Sequence, residues 1–163
     1  MTQDQTVREI LDNVCYMAIA SVSSDGTPWS TPVYFGCDEG FNFYWASAKD
    51  SCHSRNIAVN PAIFISIYDS TAPEGCAVGL YVKATARELG DVAQVRRACE
   101  CLYGRARKTP PPETAFMDPS PRRVYRAVPQ QAWINSVRWI AGIRVDVREA
   151  IDLARGNVTR LIQ

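Results

Sequence analysis

A tight-turn signal, Asp25-Gly26, lies between two apolar stretches and constrains the fold more than any other feature of the sequence. Asp-Gly is a preferred pair for hairpin turns, because the glycine accepts the left-handed backbone that such turns require. The flanking stretches, "CYMAIASV" and "WSTPVYFG", are therefore predicted to be paired strands. A second turn, "CDEG", precedes a third predicted strand, "FNFYWA", so we expect an antiparallel meander of three strands.

The rest of the chain adds strands and a few helices. "AIFISIY" is a near-continuous apolar run, typical of a strand covered on both faces, whereas "LYVKATARE" alternates and predicts one buried face. The tail from 124 to 151 is strand-like again, which gives a total of about seven strands. Helices are predicted at "TVREILDNV", with Thr6 and Glu9 as a capping box, at 51–59, and at "DVAQVRRACECLYGRAR", with Asp91 as N-cap. Hairpin-connected strands with peripheral helices indicate one domain, a small closed or split barrel.

Composition and charge exclude several functional classes. The 18 basic and 17 acidic residues nearly balance, which argues against a broad nucleic-acid-binding surface. Apolar runs are too short for a membrane helix, and the polar N-terminus shows no export signal, so we expect a cytoplasmic protein without a membrane partner. The six cysteines are then expected to be reduced thiols, and with a single histidine the sequence predicts no metal site.

The segment "TPPPETAFMDPSP" carries five prolines and is predicted to be a loop. Two interpretations remain open for it. It is either a lid or partner-gripping arm, or a plain connector between the preceding helix and the last strands.

Residues 47–61, "SAKDSCHSRNIAVNP", contain the only histidine and gather small donors and cations at the start of a predicted helix. Ser51 or Asp50 can cap this helix, and Ser54 adds a hydroxyl in its first turn. Lys49, His53 and Arg55 supply further donors. Helix N-termini bind anions readily, so the stretch predicts a phosphomonoester site. The alternative is an ordinary capped surface helix with solvated charges.

Two neighbouring features favour a flat ligand attached to that phosphate. Pro32 cannot donate to a strand ladder, so it is expected at an edge or bulge, where the backbone can face a ligand. An apolar wall for a flat ring is offered by the aromatic residues Trp29, Tyr34, Phe35, Phe43, Tyr44 and Trp45. The alternative for these aromatics is core filling.

Four segments in this order, "DGTPWSTPVYF", "GFNFYWAS", "SCHSRNIAVNPAIFISIYD" and "GLYVKATAREL", resemble the pyridoxamine 5'-phosphate oxidase-like family of FMN-binding split barrels. The resemblance covers about residues 14–89, with a weaker echo in "RVYRAVPQQAW" and "RVDV". It implies a mainly β fold over residues 1–163: a six-stranded antiparallel split β-barrel of Greek-key type with peripheral helices. It also implies a homodimer with FMN bound at the subunit interface.

The same resemblance implies which residues bind the cofactor. The second strand would pass the flavin ring with Ser30, Thr31, Pro32 and Val33. The third strand and following helix would hold the phosphate with Trp45, Ala46, Ser47, Lys49, Ser51, His53 and Ser54. Gly79 and Tyr81 would approach the ring, and Trp139 and Arg144 are candidates to reach across from the partner subunit.

The implied function is that of an FMN-binding oxidoreductase with a small-molecule substrate, in which no residue stands out as a general acid or base. The alternatives are a deazaflavin-dependent reductase and a non-catalytic protein that binds or senses flavin or haem. Ser30 and Phe35 stand where the true oxidases carry arginine and lysine, which argues against vitamin B6 oxidation. His53 stands where a lysine is frequent in the family.

Overall fold

A computed structural model describes residues 3–153 of the chain. Its helices are α1 Gln3–Asn13, α2 Cys52–Val59 and α3 Val92–Arg105, with a 3-10 turn at Glu113–Phe116. Its strands are β1 Tyr16–Val22, β2 Pro28–Tyr34, β3 Gly36–Cys37, β4 Phe43–Ala48, β5 Ala62–Tyr68, β6 Gly79–Glu88, β7 Arg122–Ile140 and β8 Ile143–Ile151. This strand-rich order confirms the predicted mainly β fold.

The strands form one antiparallel sheet that closes on itself. Its order is β2-β1-β5-β6-β7-β4-β3, and β8 pairs with β7 outside this path. The two ends of the path, β2 and β3, are separated in the chain by Phe35 alone, so the sheet closes as a barrel. Because β2 and β3 are halves of one segment, the ring has the six strand positions that the family resemblance implies. The connection from β4 to β5, which contains α2, crosses an end of the barrel because these strands are not neighbours.

The predicted three-strand meander is wrong in one respect, because its middle strand is broken. β2 pairs with β1 along its whole length, whereas only Gly36–Cys37 continues onto β4. A Cβ atom at Gly36 would lie 2.9 Å from Cys101 Sγ, so the chain passes close beneath α3 at this point. Within residues 3–153, the second edge of β2 has no strand partner, and the barrel is split there. Pro32 is accordingly on an edge strand, as predicted.

The Asp25-Gly26 turn joins β1 and β2 as predicted. Gly26 has a φ of +87°, in the left-handed region that glycine adopts without strain. The Asp25 carboxylate accepts hydrogen bonds from the Ser23 hydroxyl and from the Thr27 N–H, the latter at 3.0 Å. These two bonds lower the pKa of Asp25 to about 2.

Two apolar cores hold the helices against the barrel. The barrel interior is filled by fully buried side chains such as Met17, Ile65 and Val82, and α1 packs onto the same core. Helix α1 begins at Gln3, so the predicted capping box is wrong: Thr6 lies inside the helix. Helix α3, with the Asp91 carboxylate as N-cap, covers the outside of β4 and β7.

The outer side of the sheet is only partly covered. The isoleucines of β5 point into the core, whereas Phe64 and Tyr68 are 39% and 50% exposed. The expectation that this strand is covered on both faces is therefore wrong within one chain. An apolar surface of this kind is typical of a sheet face that a further element covers.

Strands β7 and β8 form a hairpin that extends past the barrel. Its turn, Ala141-Gly142, has positive φ at both residues, which is the backbone that a two-residue hairpin turn requires. Near the tip, Trp139 is 70% and Ile143 67% exposed. Trp139 and Arg144 thus lie on a projecting arm, and Arg144 donates to the Gly75 carbonyl at 3.1 Å.

Candidate cofactor site

Four polar side chains of the predicted phosphate site lie together where β4 ends and α2 begins. His53 Nε2 lies 2.8 Å from Ser47 Oγ, and the Ser51 hydroxyl donates to Ser54 Oγ at 2.8 Å. Ser51 is the N-cap of α2, and its Oγ also accepts from the Ser54 N–H. The predicted helix start and its serine cap are therefore confirmed. The N-terminus of α2 adds its partial positive charge to this group of hydroxyls.

The histidine faces the serines and not solvent. His53 is 6% and Ser54 3% exposed, whereas Ser47 and Ser51 are half-buried. Burial lowers the pKa of His53, because the imidazolium would lose its hydration there. A neutral imidazole has one donor and one acceptor nitrogen, so the ring can orient the hydroxyls of Ser47 and Ser51. We therefore expect the serine hydroxyls, and not the imidazole, to contact a bound phosphate directly.

Lys49 is exposed, directly follows β4 in the chain, and contacts the proline-rich segment. Its Nζ is 3.8 Å from Asp118 Oδ1. Asp118 also contacts Arg123, a buried guanidinium whose Nε donates to Glu88 Oε1 at 2.9 Å. The 3-10 turn before Asp118 buries Phe116 completely under α3. These contacts favour the connector interpretation over a free lid for this segment.

Ser30, Pro32 and Tyr81 share one outward face of the sheet, which we call the outer face. Strand register places its residues in two rows that cross the strands. The first row contains Pro32, Ala18, Ser66, Tyr81 and Trp133. The second row contains Ser30, Ala20, Phe64, Lys83 and Gln131. Two predicted ring-binding segments that are distant in sequence are thus brought onto one surface.

The outer face changes from small to aromatic residues along both rows. In both rows the residues of β1 and β2 are small, namely alanine, serine and proline. The aromatic residues of the rows begin at β5. The Phe64 ring lies 6.2 Å from that of Trp133 and 6.5 Å from that of Tyr81. The Arg148 guanidinium lies over Tyr81, with its Cζ 3.9 Å from the ring centroid. A planar ligand could lie on the small residues of β1 and β2, with its edge against the aromatic group.

Gly79 is fixed beside this group at the start of β6. Its N–H donates to the Asn135 side chain, whose amide in turn donates to the Ala77 carbonyl at 2.9 Å. A Cβ atom at Gly79 would lie 2.9 Å from the Tyr81 hydroxyl. The missing side chain therefore lets the Tyr81 ring lie against the backbone.

Other predicted site residues are placed away from this surface. Thr31 and Val33 alternate with their neighbours and point toward the barrel interior. Trp45 is fully buried and stacks on Tyr125 at 5.5 Å, and Ala46 packs beneath α3. Val33 and Trp45 are buried and can offer a ligand only their main chain, whereas Thr31 and Ala46 are half-buried.

The predicted aromatic wall is largely wrong for the same reason. Phe35, Phe43 and Trp45 are completely buried, as the core-filling alternative expects. Trp29 is the member with a large exposed fraction, 47%, and its indole N–H donates to Thr31 Oγ1 at 2.7 Å.

Helix α2 connects the polar cluster with the strands that carry Ser30 and Pro32. The buried Asn56 side chain donates to Ser21 Oγ at 3.1 Å, and Ser21 is paired with Trp29 across the hairpin. Helix α2, whose N-terminus carries the polar cluster, therefore packs against the hairpin of β1 and β2, and the outward residues of this hairpin form part of the outer face.

The comparisons with known proteins agree with the split-barrel fold. The family model described as pyridoxamine 5'-phosphate oxidase matches residues 3–135. The chain belongs to this family. No curated protein matches it in sequence.

Solved structures with the same fold include a haem storage protein and an F420 reductase. ChuZ of Campylobacter jejuni has a TM-score of 0.70 at 15% identity, over 97% of this chain and 61% of ChuZ. The haem storage protein HutZ of Vibrio cholerae has a TM-score of 0.59 at 19% identity, over 80% of this chain and 92% of HutZ. An F420 reductase has a TM-score of 0.57 at 22% identity, over 77% of this chain and 94% of that one. At these identities the likeness shows the fold alone.

Phe64, Trp133 and Arg148 also belong to the outer face, and they were not predicted from the sequence. For Phe64 the sequence does contain a signal, because the residues on both faces of β5 are apolar. A groove of about 1110 Å³ at the base of the β7–β8 hairpin also shares Trp133 and Arg148. No predicted cofactor-binding residue lines this groove, so we place the candidate site on the outer face and not there.

Residues 3–153 contain no group of histidine, cysteine, aspartate and glutamate side chains suited to a metal ion. No helix in the same range has the length and apolarity to cross a membrane.

Proposed function

We propose that the chain binds FMN as a homodimer, with the phosphate at the polar cluster and the flavin ring on the outer face. The observation that carries the proposal is the convergence of Ser47, Ser51, His53 and Ser54 at the N-terminus of α2. Hydroxyls, helix N–H groups and a nearby lysine are the donors that a phosphomonoester prefers. The donor set therefore fits the group that the family resemblance implies.

The outer face supports the ring part of the proposal. Ala18, Ala20 and Ser30 offer a low surface for a flat ring, and Tyr81 and Trp133 border it. When bound, FMN supplies the hydride or electron transfer of an oxidoreductase. The residues of this chain hold its phosphate, orient its ring and exclude water from one side of it.

The exposed side of β5 supports the homodimer part of the proposal. Phe64 and Tyr68 leave aromatic surface in water, and a second copy placed against the outer face would cover it. Homodimers most often pair the same surface of both subunits about a two-fold axis. A cofactor on this face would then lie between the subunits.

A histidine-ligated haem is a weaker candidate. The single histidine of the sequence is buried, and its Nε2 is already bonded to Ser47. Ligating iron through Nε2 would require this hydrogen bond to break and the buried ring to become accessible. We therefore propose the flavin function over the haem-binding alternative.

The test compares FMN with riboflavin, which has the same ring but no phosphate. Flavin fluorescence titrations should show FMN binding at least tenfold more tightly than riboflavin. The double variant Lys49→Gln, Ser47→Ala should weaken FMN at least tenfold and leave riboflavin unchanged, since charge-assisted hydrogen bonds contribute about 1.5–3 kcal/mol each. Ser51 is not substituted because its loss would also remove the cap of α2.

Lys108→Gln is the matched control, because Lys108 is an exposed cation in the turn after α3. Its FMN affinity should equal that of the wild type. Equal binding of FMN and riboflavin by the wild type would refute the phosphate site. Binding of neither flavin would refute the FMN proposal, and selective binding of a deazaflavin would replace it with the reductase alternative.

A further inference from the structure

We propose that the tip of the β7–β8 hairpin docks on an anionic lipid surface, with Trp139, Ile140 and Ile143 placed in the headgroup region. The tip lies outside the candidate cofactor site, so this contact does not depend on the proposed function. The features that point to it are the side-chain pattern of the tip and the cations beside it.

The tip stands clear of the barrel. The pairing of β7 with β6 ends at Ile134, and the strand from Asn135 to Ile140 pairs with β8 alone. At about 3.3 Å per residue, this part of the hairpin extends about 20 Å past the last pairing with β6. The bond from Arg144 to the Gly75 carbonyl supports the arm on one side. The tip is therefore presented to solvent by a paired and anchored element.

The tip is apolar on both of its sides. Trp139 follows the alternation of Trp133 and lies on the side that continues the outer face, whereas Ile140 and Ile143 are paired on the opposite side. Ile140 is 58% exposed, close to the values of the other two. A flat protein surface covers only one side of a hairpin, as a second copy would cover the outer face. A lipid surface surrounds an inserted tip and removes both sides from water.

Each side of the tip also carries one arginine. Arg144 is paired with Trp139 on one side, and Arg138 lies on the side of Ile140 and Ile143. No acidic residue occurs between these two arginines, and the nearest one along the chain, Asp146, is paired with Arg144 at 3.3 Å. Arginine binds phosphate with paired hydrogen bonds, and indole rings favour the boundary between headgroups and hydrocarbon. The pattern therefore fits anionic phospholipids better than neutral ones.

Such a contact needs no spanning helix. The sequence prediction of no membrane partner rests on the lack of a long apolar run, which is the signal of a segment that crosses the bilayer. A tip formed by residues 139–143 inserts only into the headgroup region and binds reversibly. Its binding should weaken at high salt, because the attraction of arginines to an anionic surface is screened.

The experiment measures flotation of the full chain with two kinds of vesicle. One is phosphatidylcholine alone, and the other is phosphatidylcholine with phosphatidylglycerol at about three to one. We expect the wild type to bind the anionic vesicles about tenfold or more tightly than the neutral ones, with a blue shift of tryptophan emission. The double variant Trp139→Ser, Ile143→Ser should lose about tenfold or more of this binding. Ile140→Ser should lose part of it and provides a second variant if the first folds poorly.

Val92→Ser is the matched control, because Val92 is an exposed apolar residue of α3 and not of the hairpin. It should bind the anionic vesicles as the wild type does. Absence of wild-type binding, equal binding to both kinds of vesicle, or unchanged binding by the double variant would each overturn the inference. Sedimentation without lipid separates the alternative partner. If the tip variants were monomeric where the wild type is a dimer, a second copy would cover the tip and the inference would fail.

Discussion

At the scale of single residues, the environment of His53 decides what the polar cluster can do. The ring is buried between the Ser47 and Ser51 hydroxyls, and its lowered pKa keeps it neutral near pH 7. A neutral ring can accept from one hydroxyl and donate to the other, which directs the remaining serine donors. Protonation would turn both ring nitrogens into donors and place a charge in a poorly hydrated site.

We expect this histidine to make stability depend on pH. Its folded pKa lies below the ordinary value of 6.5, so the unfolded chain binds the proton more tightly. Its contribution is fully present above pH 6.5 and is lost as the pH falls from there toward the folded pKa, by at most about 1.4 kcal/mol per pH unit. Urea unfolding at pH 7.5 and pH 5.5 measures the effect.

The variant His53→Gln serves as the reference for that measurement. It keeps an amide that can bond to Ser47 but does not titrate, so its free energy of unfolding should fall less between the two pH values. The same fall in wild type and variant would show that His53 does not titrate differently in the folded state.

The membership of the cluster could be predicted from sequence, but the direction of its side chains could not. Serine caps and helix periodicity are local, so Ser51 and the start of α2 were predicted correctly. Whether His53 faces solvent depends on α2 crossing the end of the barrel, which is set by strand order far away in the chain. The same applies to Trp45, whose burial follows from the pairing of β4 with β7.

At the scale of elements, the break between β2 and β3 is what closes the barrel. The stretch "WSTPVYFG" has no local signal for a break, because its apolar positions suit a single strand. The break arises where the segment leaves β1 and joins β4. A second irregularity has a local cause, since the pairing of β6 with β7 shifts at Pro129, which cannot donate to the ladder.

Gly36→Ala tests this junction. The new methyl carbon would lie 2.9 Å from Cys101 Sγ and 3.1 Å from backbone atoms of α3, which cannot rotate away. We expect a loss of about 1–3 kcal/mol in the free energy of unfolding, as for overpacked cores. Gly104→Ala, in α3 with no atom near its added Cβ, should be neutral or stabilise by up to about 1 kcal/mol. A Gly36 variant as stable as wild type would mean that α3 is not packed on β3.

At the scale of the whole molecule, the most informative prediction concerns how β5 is covered, and it is wrong when a single chain is considered. "AIFISIY" predicts a strand covered on both faces, yet the described chain covers only one of them. The pattern is consistent with the fold if the second cover comes from another subunit. Such a cover forms only when subunits associate. The apolar pattern of β5 therefore indicates that its second face is covered, but not which chain covers it.

Phe64→Arg tests whether the outer face is the dimer interface. The wild type should sediment as a dimer at micromolar concentration. The variant replaces an aromatic contact by a charge next to Lys83, and two-fold symmetry would repeat it in the partner, so it should sediment as a folded monomer. Circular dichroism and urea unfolding confirm that the variant is folded.

Val92→Arg is the matched control, because Val92 is 46% exposed at the start of α3, away from the outer face. It introduces the same charge at a comparable apolar position and should remain dimeric. A monomeric wild type, or a Phe64→Arg variant that stays dimeric, would show that the exposed side of β5 is not covered by a second copy. The flavin would then have to bind to a single subunit, with the outer face open to solvent.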